Sequence, residues 1–239
     1  STLYPPMEDT RKSLLSHYSF FDLHLSRLKC LCSIVLGLIQ VRRVTLNELA
    51  LSFEGSASQD SVTKRISRFL SSLIFPYDAM SHYIWSRFQT DEETILSLDR
   101  TNWKFGRLNI NILMLSICYG GYGIPLMWSL LDKRGNSSQE ERIALIKRFM
   151  ALIKTDQIVR LVADREFIGA KWLNWLDEHH IHYIIRIRAN QYLEPEKGKA
   201  QYAHTFFAAH SWKRLRKAQN LKGVWGFVGG QRLRNGDYL

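Results

Sequence analysis

Two aspartates, Asp99 and Asp164, each close a short apolar, β-favouring run: Thr94-Ile-Leu-Ser-Leu before the first, Ile158-Val-Arg-Leu-Val-Ala before the second. Open α/β sheets collect their sites at the carboxyl ends of strands. If these two strands are neighbours, both carboxylates enter one crevice. Paired carboxylates in a basic chain suit Mg²⁺, with Mn²⁺ able to substitute, because a hard cation takes few protein oxygens and keeps room for phosphate. Two such ions can activate a water or a 3′-hydroxyl and stabilise the leaving oxygen. Read in isolation, each aspartate fits a helix cap or a turn equally well.

The charge points to a polyanion. Lys and Arg number 33 against 22 Asp and Glu, a net charge of +11, and the pI is about 9.7. Such an excess favours nucleic acid. Two clusters concentrate it. Lys64, Arg65 and Arg68 share one apolar-periodic stretch. Lys213, Arg214, Arg216 and Lys217 lead a segment with seven basic residues and no acid between 211 and 236, in which Trp212 and Trp225 also lie. Basic residues beside aromatics suit phosphate contact and base stacking, whereas in a plain basic ribbon the tryptophans would belong to the core. Trp103 and Lys104, just after Asp99, either touch DNA or pack.

Other chemistry is thinly represented. Cys30, Cys32 and Cys118 form no disulfide framework, and Cys30-x-Cys32 lacks zinc spacing and reads as core. His179-His180-x-His182 reads as an exposed turn. The apolar run Leu31–Ile39 is far shorter than the ~20 residues of a membrane span, so a cytoplasmic, nucleoid-associated protein with no membrane partner is expected.

The elements that must position these groups are legible as periodicities. Residues 1–90 read as helical. Leu25, Leu28, Cys32, Val35, Leu36 and Ile39 recur at helical intervals, as do Val62, Ile66, Phe69, Leu70 and Leu73. Between them Thr45-Leu-Asn-Glu48 forms a capping box opening a short helix, and 54–58 a turn. This is either a helix-turn-helix or a helical pair with a solvated basic face. From residue 91 to 192 the order becomes strand (94–99), strand (109–119), strand (124–131), helix, strand (157–163), helix, strand (182–188). The first helix opens at Ser137 with Glu140 or Ser138 with Glu141, and carries a stripe of Ile143, Ile146, Phe149, Met150 and Ile153. Gly120, Gly121 and Gly123 mark a turn between the second and third strands. Residues 193–239 read as the start of a basic, β-rich insertion. The fold class expected is α/β, a ribonuclease-H-like core with a mixed sheet flanked by helices, preceded by a helical N-terminal domain.

Leu98-Asp-Arg-Thr-Asn-Trp-Lys-Phe-Gly106 resembles the first catalytic motif of the insertion-sequence-four family of bacterial transposases, and Ala163-Asp-Arg-Glu-Phe167 its D-R-E-F second motif. Asn109–Ser138, with Ile124-Pro-Leu and Leu131-Asp-Lys-Arg-Gly-Asn-Ser137, resembles the segment between them. The likeness covers about residues 90–190. It implies a cut-and-paste DDE enzyme, metal-dependent, that nicks DNA at transposon ends and joins the 3′ end to target DNA, with Asp99 and Asp164 as the first two metal ligands. Double-stranded DNA, both ends and target, is the implied partner, and a homodimer the implied working form. Arg165 of the second motif is placed against DNA backbone, and Glu166 is read as a cap for the following helix rather than a catalytic group.

The family's third acid, a Glu within a Y…R…E…K motif, has no counterpart among these residues. The resemblance therefore implies a chain that stops inside the β-rich insertion, cut from a longer protein and catalytically incomplete. The alternatives are a non-catalytic DNA-binding remnant of a transposase, or a ribonuclease-H-like nuclease acting on RNA–DNA hybrids or junctions.

Overall fold

The computed structural model describes residues 7–18, 23–89, 93–154 and 158–238. The chain divides into two compact units, Ser1–Tyr83 and Ile84–Leu239.

The first unit is helical. α1 (Met7–Tyr18), α2 (Leu25–Val41), α3 (Leu46–Leu51) and α4 (Gln59–Ser72) lead into α5 (Tyr77–Phe88), which crosses into the second unit. Ile34, Leu49, Ala50, Val62, Ile66 and Phe69, from α2, α3 and α4, form one apolar cluster. Gly37 permits close approach: a Cβ there would lie 2.3 Å from the Ser52 hydroxyl oxygen. The Thr45 capping box is a correction. Thr45 sits at the N-cap of α3 but bonds no backbone amide; its hydroxyl donates to the Glu48 carboxylate instead, and Arg43 holds that carboxylate at 2.9 Å. Cys32 is fully buried as expected, whereas Cys30 is only half-buried.

The second unit is built on a five-stranded mixed sheet with order β3-β2-β1-β4-β5. β1 (Glu93–Phe105), β2 (Leu108–Tyr119) and β3 (Tyr122–Leu130) form an antiparallel meander. Gly120 and Gly121, both at positive φ, make the two-residue turn whose twist matches the strands. α6 (Gln139–Leu152) crosses to β4 (Ile158–Ala163), which lies parallel to β1. α7 (Ala170–Glu178) then crosses to β5 (His182–Ile185), parallel to β4. Three antiparallel strands followed by two parallel ones reached through helices make the ribonuclease-H-like topology, as the residue pattern implied.

Alternation gives the sheet one dry face: Leu96, Leu98, Leu113, Leu115, Ile117 and Leu161 are each at most 1% exposed. α6 contributes Leu145, Ile146 and Phe149 to the core, and α7 contributes Trp172, Leu173 and Leu176. Of the two capping boxes read for α6, Ser138 with Glu141 forms, with both bonds made. The expected stripe of α6 is rotated. Arg142, not Ile143, continues the buried row through Leu145, Ile146 and Phe149, while Met150 is exposed. Smaller strands β6 (Tyr192–Pro195), β7 (Gln201–Tyr202), β8 (Lys213–Arg214), β9 (Gln219–Leu221), β10 (Val224–Gly226) and β11 (Gly229–Gly230) complete the unit. Leu193, Ala203, Phe207 and Leu215 form their own small core. Among the described residues no helix is long and apolar enough to cross a membrane.

Trp172 is fully buried in α7. Trp172→Ala therefore lowers stability by about 3–5 kcal/mol, transfer and cavity terms together, read from urea denaturation.

Candidate active site at the strand ends

One expectation about Asp99 changes. It does not end its strand: β1 runs on to Phe105 in the hairpin with β2, with Asp99 opposite Met114. What ends beside Asp99 is the parallel pairing with β4, whose last register pair is Leu98 with Ala163. The β1–β2 ribbon is a local hairpin and outruns β4, because β4 turns away at the D-R-E-F segment into a 3₁₀ turn, Arg165–Phe167.

That register brings Asp99 of β1 next to Asp164, the residue that follows β4; neighbouring strand axes lie about 4.8 Å apart. Asp164 keeps an extended backbone, φ −81° and ψ 170°. By alternation both side chains leave the sheet on the face opposite Leu98 and Ala163. Both residues are exposed. Asp99 Oδ1 accepts the Arg100 backbone N–H at 2.7 Å. Among the described residues neither carboxylate joins an ion pair, and no group of three or more His, Cys, Asp or Glu is arranged to hold a metal. Two adjacent, exposed carboxylates fit a hard cation that keeps waters and takes its other oxygens from phosphate.

The surroundings are a polar network that sequence reasoning missed. Glu166 caps no helix, which corrects the reading given to it. Its carboxylate takes a two-pronged bond from Arg100, Nε to Oε1 at 3.0 Å and a terminal nitrogen to Oε2 at 3.1 Å. Arg100 also donates to Asn136 Oδ1 at 3.2 Å and to Asn111 Oδ1 at 3.5 Å. Asn111, 2% exposed, fastens the loop after β3 by donating to the carbonyls of Lys133 and Gly135, both at 3.0 Å. Arg142, 4% exposed, donates to the Ser137 hydroxyl at 2.9 Å, the Ser137 carbonyl at 2.8 Å and the Glu166 carbonyl at 3.1 Å. Its guanidinium carbon lies 4.9 Å from the Phe167 ring centre. Burial works against the Arg142 charge and lowers its pKa, while the Glu166 and Glu141 carboxylates oppose that shift. Two signals in the chain pointed here: a second D-R dipeptide at Asp99-Arg100, and a charged residue at core spacing in α6.

The other sequence candidates lie elsewhere. Arg165 is exposed beside Asp164. Lys64, Arg65 and Arg68 are exposed on α4, where Arg65 rests over Phe53, 5.2 Å from its centre, and Arg68 Nε donates to the Lys64 carbonyl at 3.4 Å. Lys213, Arg214, Arg216 and Lys217 are all exposed, with Arg214 over Phe227 at 4.4 Å. Trp212 and Trp225 are 61% and 50% exposed, so they are not core residues, and Trp103 is 44% exposed. His179 and His180 form an exposed turn, with His179 stacked on Trp175 at 4.1 Å.

The profile of the family described as "Transposase DDE domain" matches residues 91–224, more than half of the chain. No curated protein sequence matches it. Among solved structures, the HTLV-2 integrase catalytic core in complex with magnesium is 15% identical, with a TM-score of 0.29, over 38% of this chain and 59% of that one. The catalytic domain of Mos1 mariner transposase is 12% identical, TM-score 0.32, over 46% and 59%. Endonuclease V from Bacillus subtilis is 8% identical, TM-score 0.30, over 78% and 77%. The chain thus spans about three-fifths of the first of these, and likenesses this distant transfer no residue role.

Arg142→Ala leaves the carbonyls of Ser137 and Glu166 without their donor, and costs about 3 kcal/mol or more in urea denaturation. Arg142→Lys does not restore the loss, because a point charge cannot span the same acceptors.

Proposed function

This chain belongs to the family of transposase DDE domains, and we propose that it acts on DNA as an insertion-sequence-four transposase, cleaving phosphodiesters at transposon ends and transferring strands to a target. The observation that carries the reading is the parallel register of β1 and β4, which sets Asp99 beside Asp164 within the segment matched by the family.

In this reading Asp99 and Asp164 hold Mg²⁺ or Mn²⁺. The metal, when bound, activates the attacking oxygen and neutralises charge on the phosphate. The chain's own contribution is placement. Asp99 lies within β1 and Asp164 directly follows β4, each one residue past the last pair those strands form with each other, so little reorganisation is needed on loading. Arg165, exposed beside Asp164, contacts a backbone phosphate. Lys64, Arg65 and Arg68 on α4, within the 1–90 region, engage the transposon end. Lys213, Arg214, Arg216 and Lys217, in the 193–239 region, follow the phosphates, and exposed Trp212 and Trp225 stack on bases. A homodimer on paired ends, at the bacterial nucleoid, is the working form proposed.

The family pattern also calls for a third carboxylate in a Y…R…E…K segment, and none follows Asp164 in these residues. Cleavage by this 239-residue polypeptide is accordingly expected to be weak. A second reading, a DNA-binding remnant without catalysis, rests on that same observation.

A Mn²⁺-dependent nicking assay on DNA carrying the element's ends separates the two. Slow nicking that falls at least about 100-fold in Asp99→Ala and in Asp164→Ala, with DNA binding retained, supports the transposase. Binding without any metal-dependent cut favours the remnant. Replacing Lys213, Arg214, Arg216 and Lys217 by Ala reduces the slope of log affinity against log salt by about 0.9 for each phosphate no longer neutralised. An unchanged slope rules those residues out as phosphate partners.

A further inference from the structure

We infer that Arg100 and Glu166 are positioning residues of the two-aspartate site: their two-pronged ion pair holds the ends of β1 and β4 in the register that sets Asp99 beside Asp164. The inference rests on the metal-binding reading of those aspartates, and adds to it two residues that hold the site without touching metal or substrate.

Backbone pairing between β1 and β4 stops at Leu98 and Ala163. No residue pair follows in the ladder, and both aspartates stand at this edge, each next to the last paired residue. Arg100 is one residue past Asp99, and Glu166 two residues past Asp164. Their side chains close the gap with bonds of 3.0 and 3.1 Å, at side-chain exposures of 13% and 25%. A planar guanidinium meeting both carboxylate oxygens fixes orientation as well as distance, which a point charge cannot do.

Both partners are themselves held from other elements. Asn111 and Asn136 accept from Arg100, so its fork is aimed from β2 and from the loop after β3 as well. Arg142 of α6 holds the Glu166 carbonyl at 3.1 Å, so the turn carrying the carboxylate is held from behind. With both carboxylate oxygens taken up by Arg100, Glu166 is kept as a brace, and Asp99 and Asp164 are left without an arginine partner among the described residues.

A positioning role and a simple charge effect make opposite forecasts. Arg100→Gln removes a positive charge near a cation site, so charge alone would tighten cation binding. Glu166→Gln removes a negative charge, and charge alone would weaken it. Arg100→Lys changes no charge, so charge alone would change nothing. If the pair positions the aspartates, all three variants weaken binding, by about 10–100-fold, as for partners that orient metal ligands elsewhere.

The test uses the whole 239-residue chain and Mn²⁺ alone, with free Mn²⁺ read by electron paramagnetic resonance. Hydrogen–deuterium exchange is run in parallel on the metal-free proteins. The expected result is weaker Mn²⁺ binding in all three variants. It is accompanied by faster exchange in peptides covering residues 96–101 and 160–167, with the 59–72 peptide of α4 unchanged. Unaltered Mn²⁺ affinity in Arg100→Lys, or tighter binding in Arg100→Gln, overturns the inference. If the wild-type chain binds no Mn²⁺, the metal reading of Asp99 and Asp164 fails. The exchange data then decide the brace: local loosening sustains it as the device that sets the aspartate register, and unchanged exchange in Arg100→Lys overturns it.

Discussion

The bond between Arg100 and Glu166 is the interaction on which the end of the sheet depends. Five segments converge on it or one residue away: β1 through Arg100, β2 through Asn111, the loop after β3 through Asn136 and Ser137, α6 through Arg142, and the turn after β4 through Glu166. Each charged group in the set has been taken largely out of water, which is tolerable because oxygens held in place receive most of its hydrogen bonds; of the Arg142 guanidinium, Nε and one terminal nitrogen are bonded and the other terminal nitrogen is buried without a partner among the described residues. Removing any one member leaves the others desolvated and short of a partner, so the network behaves as a unit.

The arrangement also separates two kinds of carboxylate that stand close in sequence. Glu166 is committed to arginine on both oxygens, whereas Asp99 and Asp164 remain exposed and open to a hard cation. An arginine directly on either aspartate would compete with metal. By drawing Arg100 to the opposite side of β1 from Asp99, strand alternation keeps a strong positive charge within one residue of Asp99 without letting it pair with that carboxylate. Side-chain alternation is thus what allows an arginine-paired acid and two acids without an arginine partner among the described residues to be neighbours.

The basic surfaces follow a different logic. On α4 the buried row Val62, Ile66 and Phe69 turns Lys64, Arg65 and Arg68 outward, because apolar residues at helical spacing dictate where charges must go. In the β-rich region the small core of Leu193, Ala203, Phe207 and Leu215 is satisfied without the tryptophans, so Trp212, Trp225 and Phe227 stay at the surface among Lys213 and Arg214. Exposed aromatic rings beside cations suit an unpaired base and its phosphate.

The amino-acid sequence by itself determined the order of strands and helices from residue 91 to 192, a cap for α6 narrowed to two adjacent registers, the turn at Gly120 and Gly121, and the two aspartates in their motifs. These are local properties: period, cap chemistry and backbone freedom are set by residues a few positions apart. Tertiary structure alone decided that Asp99 lies inside a long hairpin strand, that Arg142 and not Ile143 faces the core, and that Glu166 braces Arg100, 66 residues away in the chain, instead of capping a helix. Those outcomes turn on which distant groups a side chain can reach once the sheet has closed. A buried arginine on an apolar face is favourable only when the carbonyls of Ser137 and Glu166 are already there to receive it, and no local pattern encodes their arrival.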